Sequence, residues 1–165
     1  MNLTTILRNK NKKKQDILNK YGLKDIKKSL WLILLKENLV DEELINALKI
    51  LPANFVLVTE KKIDNLVNIS ILKNVIIDSW FDFIACDNCE ENLMKFLESW
   101  VVPIVSKNHH ISSLLSEFKA KTVEWNAFIF ENDALCDIYY AIIRFVENYK
   151  FPYDHKALVK NVLQI

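Results

Sequence analysis

Short runs of apolar residues, each too brief for a helix, recur along this chain between longer amphipathic segments. They cover residues 30–35, 55–58, 81–86, 102–105 and 127–130. Leu30-Trp31-Leu32-Ile33-Leu34-Leu35 contains no polar residue, the pattern of a strand buried on both faces. Residues 41–51 and 90–100 are patterned as helices, the first opened by acids and followed by Pro52. Residues 132–149 read as a long helix, and Pro152 opens a last one through 163. Residues 13–21 read as a helix stopped by Gly22. Residues 63–69 and 111–118 read as short helices, and 74–77 fit helix or strand equally. Strands alternating with helices build parallel βαβ units with right-handed crossovers. The chain therefore reads as α/β, a three-layer sandwich with a mainly parallel sheet. Residues 1–165 form a single domain in this reading, with 1–12 as a basic lead-in.

Gly22 is the only glycine in 165 residues, where ordinary usage of about 7% would supply about a dozen. Glycine lets backbone reach left-handed angles and approach phosphates closely. Its scarcity excludes the P-loop, the dinucleotide fingerprint and the kinase loop, all of which are glycine patterns. An apolar share of 51% is ample for a core, and a net charge of +1 predicts no strong field. Arg8, Lys10, Lys12, Lys13 and Lys14 form a basic run that could touch nucleic acid or anionic lipid. The plainer reading is a solvated lead-in to a helix, so neither nucleic acid nor membrane is expected as a partner. The apolar N-terminal stretch is short and precedes the charges, unlike a secretion signal. No apolar run approaches the roughly 20 residues that span a bilayer. Three cysteines, an odd number, point to free thiols and a cytoplasmic setting.

From residue 83 onward the pieces follow a definite order. A strand ends Phe83-Ile84-Ala85-Cys86, Asp87 follows, and the next helix carries Leu93 and Phe96-Leu97. Then come Val102-Pro103-Ile104-Val105, the turn Asn108-His109-His110, and Ile111. Phe128-Ile129-Phe130 precedes a helix with Tyr149 near its end, and Leu158-Val159-Lys160-Asn161 closes the series. This order resembles the C-terminal half of the glycogen and starch synthases, nucleotide-sugar glycosyltransferases of the GT-B fold. Ile17 and Gly22-Leu23, ahead of the Trp31 strand, resemble the segment that opens that half. Residues 59–82 are shortened and match poorly. The resemblance implies a Rossmann-like domain whose relatives bind ADP-glucose and pass glucose to an α-1,4-glucan with retention of configuration. It implies no cofactor and no metal. In that family an N-terminal half carries much of the acceptor site. A separate half-domain protein would have to supply that wall, because orienting donor against acceptor provides much of the rate.

The departures from the family fall where its chemistry sits. The family's Glu-Pro-Cys-Gly turn corresponds to Asp87-Asn88-Cys89-Glu90. Asp87 is the candidate catalytic residue, a carboxylate one methylene shorter. Glu90 stands where a glycine approaches the diphosphate, and Glu91 follows. A helix N-terminus binds anions through free N–H groups, whereas two acids there cap the helix and repel a diphosphate. The family's basic pair after the first strand is reduced to Lys36, followed by Glu37. Lys36 is either a surviving phosphate contact or a loop charge. Asn108, His109 and His110 are candidate donor contacts, with two histidines where the family has paired glycines. Adjacent histidines could alternatively hold a metal or exchange protons. The family's Gly-x-Gly-Phe segment reads Trp125-Asn126-Ala127-Phe128.

Cys86-Asp87-Asn88-Cys89 is a C-x-x-C at a strand-to-helix junction, a spacing that can be a redox dithiol. The alternatives are a buried strand end beside a family cysteine, or a mixed metal site with His109 and His110. Trp31 and Trp100 are expected to pack in the core rather than to stack on glucan. The chain thus reads as a glycogen- or starch-synthase-like half-domain, without its N-terminal half and inactive alone. The alternative is a non-catalytic module of that fold that binds a protein or an α-glucan. ADP-glucose and α-glucan are the small-molecule and polymer partners implied.

Overall fold

Every apolar run expected to be a strand is one. The computed structural model describes residues 3–63, 67–73, 80–87, 90–119, 122 and 124–162. The chain opens with α1 (Leu3–Lys20), β1 (Ser29–Leu34), α2 (Glu42–Lys49), β2 (Ala53–Val58) and β3 (Ile69–Leu72). It continues through β4 (Phe83–Cys86), α3 (Glu90–Glu98), β5 (Val102–Ser106) and a short 3-10 helix (His110–Leu114). The last elements are β6 (Phe128–Phe130), α4 (Leu135–Asn148) and α5 (Pro152–Val162). Asp41 caps α2 by accepting the Leu44 N–H at 2.8 Å, as the acidic opening of that segment required.

Among the described residues six strands form one sheet in the order β3-β2-β1-β4-β5-β6, every neighbouring pair parallel. Trp31 lies level with Phe55 on one side and Phe83 on the other. The β1–α2–β2 crossover steps one way along the sheet and β4–α3–β5 steps the other way. Right-handed crossovers therefore put α2 and α3 on opposite faces. Helix α4 packs on β6 and touches α2, which places it on the α2 face. The fold is a Rossmann-like α/β sandwich. Its densest region is a set of rings: Trp31 stands 5.0 Å from Phe83 and 5.3 Å from Phe145, and Phe128 stands 4.8 Å from Phe145.

Three local expectations need correction. Of the segment 63–69, expected to be helical, residues 64–66 lie outside the described ones, 63, 67 and 68 are not helical, and Ile69 opens edge strand β3. Asn68 fixes it there, donating from its amide to the carbonyls of Leu48, Leu51 and Ala53 at 3.0–3.2 Å. The helix expected over 111–118 is only the 3-10 turn His110–Leu114, because Ser116–Ala127 backbone pairing takes over beyond it. The ambiguous segment 74–77 lies outside the described residues. The third correction concerns the basic run. Residues 3–12 already belong to α1, and Lys10 and Lys14 are buried rather than solvated.

Those two lysines share a face with Ile17 and Leu18, one helical turn apart, so seating the apolar stripe carries them inward. The Lys14 ammonium donates to Asp82 Oδ2 at 2.7 Å and to the Tyr149 hydroxyl at 3.3 Å. Asp82 also accepts the Leu30 N–H at 2.9 Å, so one carboxylate joins α1 to the start of β1. Burial pushes the Asp82 pKa up, but the charges of Lys14 and Lys10 outweigh it and hold the carboxyl below its ordinary value. The Lys10 ammonium donates to the Trp100 carbonyl at 2.7 Å.

Two helices end in the same left-handed cap with different residues. Gly22 (φ 70°) ends α1: its N–H bonds Asn19 O at 3.3 Å and the Leu23 N–H bonds Leu18 O at 2.8 Å. Trp100 (φ 61°) ends α3 in the same way, with Trp100 N to Leu97 O at 2.9 Å and Val101 N to Phe96 O at 3.0 Å. The Trp100 ring packs half-buried against the core, which offsets a backbone angle that side chains disfavour. At Gly22 a Cβ would meet no heavy atom within 4 Å, so Gly22→Ala isolates the backbone term. That variant is expected to lose about 1 kcal/mol of unfolding free energy in urea titration. A variant as stable as the parent would show that the cap is not strained by a side chain.

Candidate functional site

In an open parallel sheet, a ligand crevice forms at the strand C-termini where neighbouring strands send their crossovers in opposite directions. Here that reversal lies between β1 and β4. The chain leaving β1 is Leu35-Lys36-Glu37, and Asp87 leaves β4. The Asp87 side chain is buried, and both its oxygens accept the Lys36 backbone N–H, at 3.1 and 3.2 Å. The half-exposed Lys36 ammonium stands 3.7 Å from Asp87 Oδ2 and 3.8 Å from Asp133 Oδ2. The structure thus brings together the candidate catalytic carboxylate and the candidate phosphate contact, and each engages the other. Asp133 escaped the sequence reading. It sits in the β6–α4 connection, and only the sheet order places that connection near β1.

The neighbouring charges are paired too. The Glu37 carboxylate accepts the Glu60 N–H at 2.9 Å and the Thr59 hydroxyl at 2.9 Å, and these bonds hold its pKa below the ordinary value. The Lys61 ammonium donates to Glu37 O at 2.9 Å and to the Val40 carbonyl. Across the ends of β5 and β6, Lys107 pairs with Glu131 at 2.7 Å. At the edge strand β6, Arg144 pairs with Glu117 at 2.7 Å, and Glu117 accepts the Ile129 N–H.

Asn108, His109 and His110 follow β5 as expected, and they differ in environment. Asn108 is exposed, its backbone N–H donating to Ser106 Oγ at 3.2 Å. His109 is buried, and its Nδ1 accepts the Ile111 N–H at 3.3 Å, capping the 3-10 turn. His110 is exposed and stacks on His109 with ring centroids 4.6 Å apart. Where the family reads Gly-x-Gly-Phe, Asn126 Oδ1 accepts the Ser116 N–H at 2.8 Å and Trp125 is buried, its indole N–H donating to Thr122 O. Trp31 is buried as expected.

The expectation of free thiols holds for Cys136, which is exposed, and fails for Cys86, which is disulfide-bonded. A disulfide sulfur is not the thiolate that a metal requires, so Cys86 is removed from the mixed metal site. Cys89 and Asn88 lie outside the described residues, as do the side chains of Glu90 and Glu91. Among the described residues no three His, Cys, Asp or Glu gather as metal ligands, and no helix is long and apolar enough to cross a membrane.

No protein-family model matches the sequence, and no curated protein matches it. Solved structures do match its fold. One is the catalytic domain of starch synthase IV from Arabidopsis thaliana, bound to ADP and acarbose. The superposition has a TM-score of 0.74 at 17% identity and covers 94% of this chain. The chain spans 39% of that structure's length. At that identity the likeness speaks for the fold, and the fold is that of one Rossmann-like part of a starch synthase catalytic domain, a glycosyltransferase-like unit of the GT-B type.

Proposed function

We propose that this chain is the nucleotide-sugar half of a glycogen- or starch-synthase-like glycosyltransferase that, alone, neither holds ADP-glucose tightly nor transfers glucose. The mutual engagement of Asp87 and Lys36 at the switch point supports this reading. A diphosphate would need the Lys36 ammonium, and a donor sugar would need Asp87. Withdrawing the half-exposed Lys36 ammonium gives up its ion pair with Asp87, a cost of about 1 kcal/mol or less, while the carboxylate keeps its bonds to the Lys36 backbone N–H. Asp133 adds a second carboxylate beside a single ammonium, so the local field opposes a diphosphate. The N-terminal half of such an enzyme would supply the acceptor wall and the orientation of acceptor against donor.

Calorimetric titration with ADP and ADP-glucose tests the reading. The expected result is no saturable binding at micromolar ligand. A micromolar dissociation constant, roughly 8 kcal/mol of binding, would overturn it. Glu90→Gly combined with Glu91→Ala removes two acids from the start of α3 and is expected to strengthen binding of either ligand, read in the same titration.

A further inference from the structure

At the opposite end of the sheet, beside the start of β4, a cavity of about 260 Å³ opens between α1 and the first turn of α5. Its walls include Lys10, Asp82, Tyr149, His155 and Lys156. Asp82 is already committed to Lys14, the Leu30 N–H and the wall of the sheet. Lys10 is less completely paired. It is 97% buried (3% exposed), it donates to the neutral Trp100 carbonyl, and the offsetting charge it feels is that same, already shared Asp82 carboxylate. An ammonium taken out of water with only a shared counter-charge is costly, and that cost falls when an anion arrives. Burial lowers the Lys10 pKa to about 8, which still leaves it largely charged at neutral pH.

Two further features border the same space. His155 lines it, and the ring's Nδ1 is buried with no hydrogen-bond partner among the described residues. Pro152 begins α5 at the cavity wall, so the first turn of that helix, where its dipole is positive, borders the cavity. With Asp82 neutralised by Lys14, Lys10 and Lys156 leave two positive charges facing the cavity. We propose that this cavity is a binding site for a dianionic phosphate group, held by Lys10 and Lys156 with the imidazole of His155 as a hydrogen-bonding wall. Two positive charges match a dianion better than a single carboxylate. The volume of about 260 Å³ accepts inorganic phosphate or the phosphoryl end of a small phosphomonoester.

The 165-residue chain should be titrated with inorganic phosphate and, separately, with glycerol 3-phosphate, at neutral pH with ionic strength held constant by chloride. Saturable one-site binding at millimolar ligand or below is expected for at least one of them. The preferred arm identifies the source as free phosphate or a phosphomonoester. Lys10→Met is expected to weaken binding by about tenfold or more, and Lys156→Gln by about threefold. Lys49→Gln on α2 should leave it unchanged. Lys156 lies at an exposed position, so its variant reads the site even if Lys10→Met disturbs the fold. Absence of saturable binding in both arms overturns the proposal. So does parental affinity in Lys156→Gln together with any folded Lys10→Met protein.

Discussion

Lys14→Met is expected to remove about 3–5 kcal/mol of unfolding free energy, because it breaks a buried ion pair from one side. The substitution keeps the length of the side chain and its apolar stem, so packing of α1 changes little. What it removes is the ammonium that meets Asp82 at 2.7 Å where both groups are buried. Asp82 then keeps only the Leu30 N–H among the bonds described above, and its negative charge stands in a low-dielectric site. Replacing both partners should be far milder, because the uncompensated charge disappears with its counter-ion. Urea unfolding of Lys14→Met, Asp82→Asn and the double variant measures this as a coupling energy. Equal and additive losses below about 1 kcal/mol would show that the pair behaves like an exposed salt bridge.

Stability is also expected to fall between pH 6.5 and pH 4 because of His155. Burial, largest among the causes, lowers its pKa from 6.5 to about 4 in the folded chain, against the opposing pull of Asp82. Above pH 6.5 neither the folded nor the unfolded chain protonates this ring. Below it the unfolded chain takes up the proton and the folded chain does not, so unfolding is favoured progressively until about pH 4. The full effect is at most about 3 kcal/mol. Asp82, also held below its ordinary value, loses its contribution as pH falls further and acts in the same direction. Glu117 opposes them, since burial raises its pKa and the folded chain binds that proton first. Around the imidazole stand the Tyr149 and Phe83 rings at 4.8 and 5.7 Å and the charges of Asp82, Lys10 and Lys14. His155→Phe keeps the ring packing and removes the titration. Unfolding free energies at pH 7 and pH 4.5 should therefore converge in the variant and diverge in the parent. Parallel losses in both would exclude His155 as the source.

The inner strands were legible because they are runs of apolar residues that a doubly covered sheet buries, and Gly22 was legible because a left-handed helix cap favours glycine. Lys10 and Lys14 were not. A run of cations reads as solvated unless its counter-charge is known, and Asp82 lies 68 residues away from Lys14. Edge strand β3 went unread, with a helix expected up to its first residue, because four residues carry little pattern and Asn68 anchors the strand through three carbonyls elsewhere in the chain. At the candidate site, the family resemblance singled out Lys36 and Asp87 as separate candidates. Their engagement with each other, and the approach of Asp133, depend on strand order. Cys86 misled because an odd cysteine count says nothing about which of the three pair.

The anchoring of α1 also fixes an order of events as the chain leaves the ribosome. α1 precedes every strand of the sheet, yet the partners of Lys10 and Lys14 are Asp82, Trp100 and Tyr149, at separations of 68, 90 and 135 residues. Those bonds form only after β4, α3 and α4 have been synthesised. Until then the cations of Arg8, Lys10, Lys12, Lys13 and Lys14 face one another with no Asp82 to offset them, and their repulsion disfavours burying this face early. Closure of α1 onto the sheet is therefore among the last steps that synthesis permits.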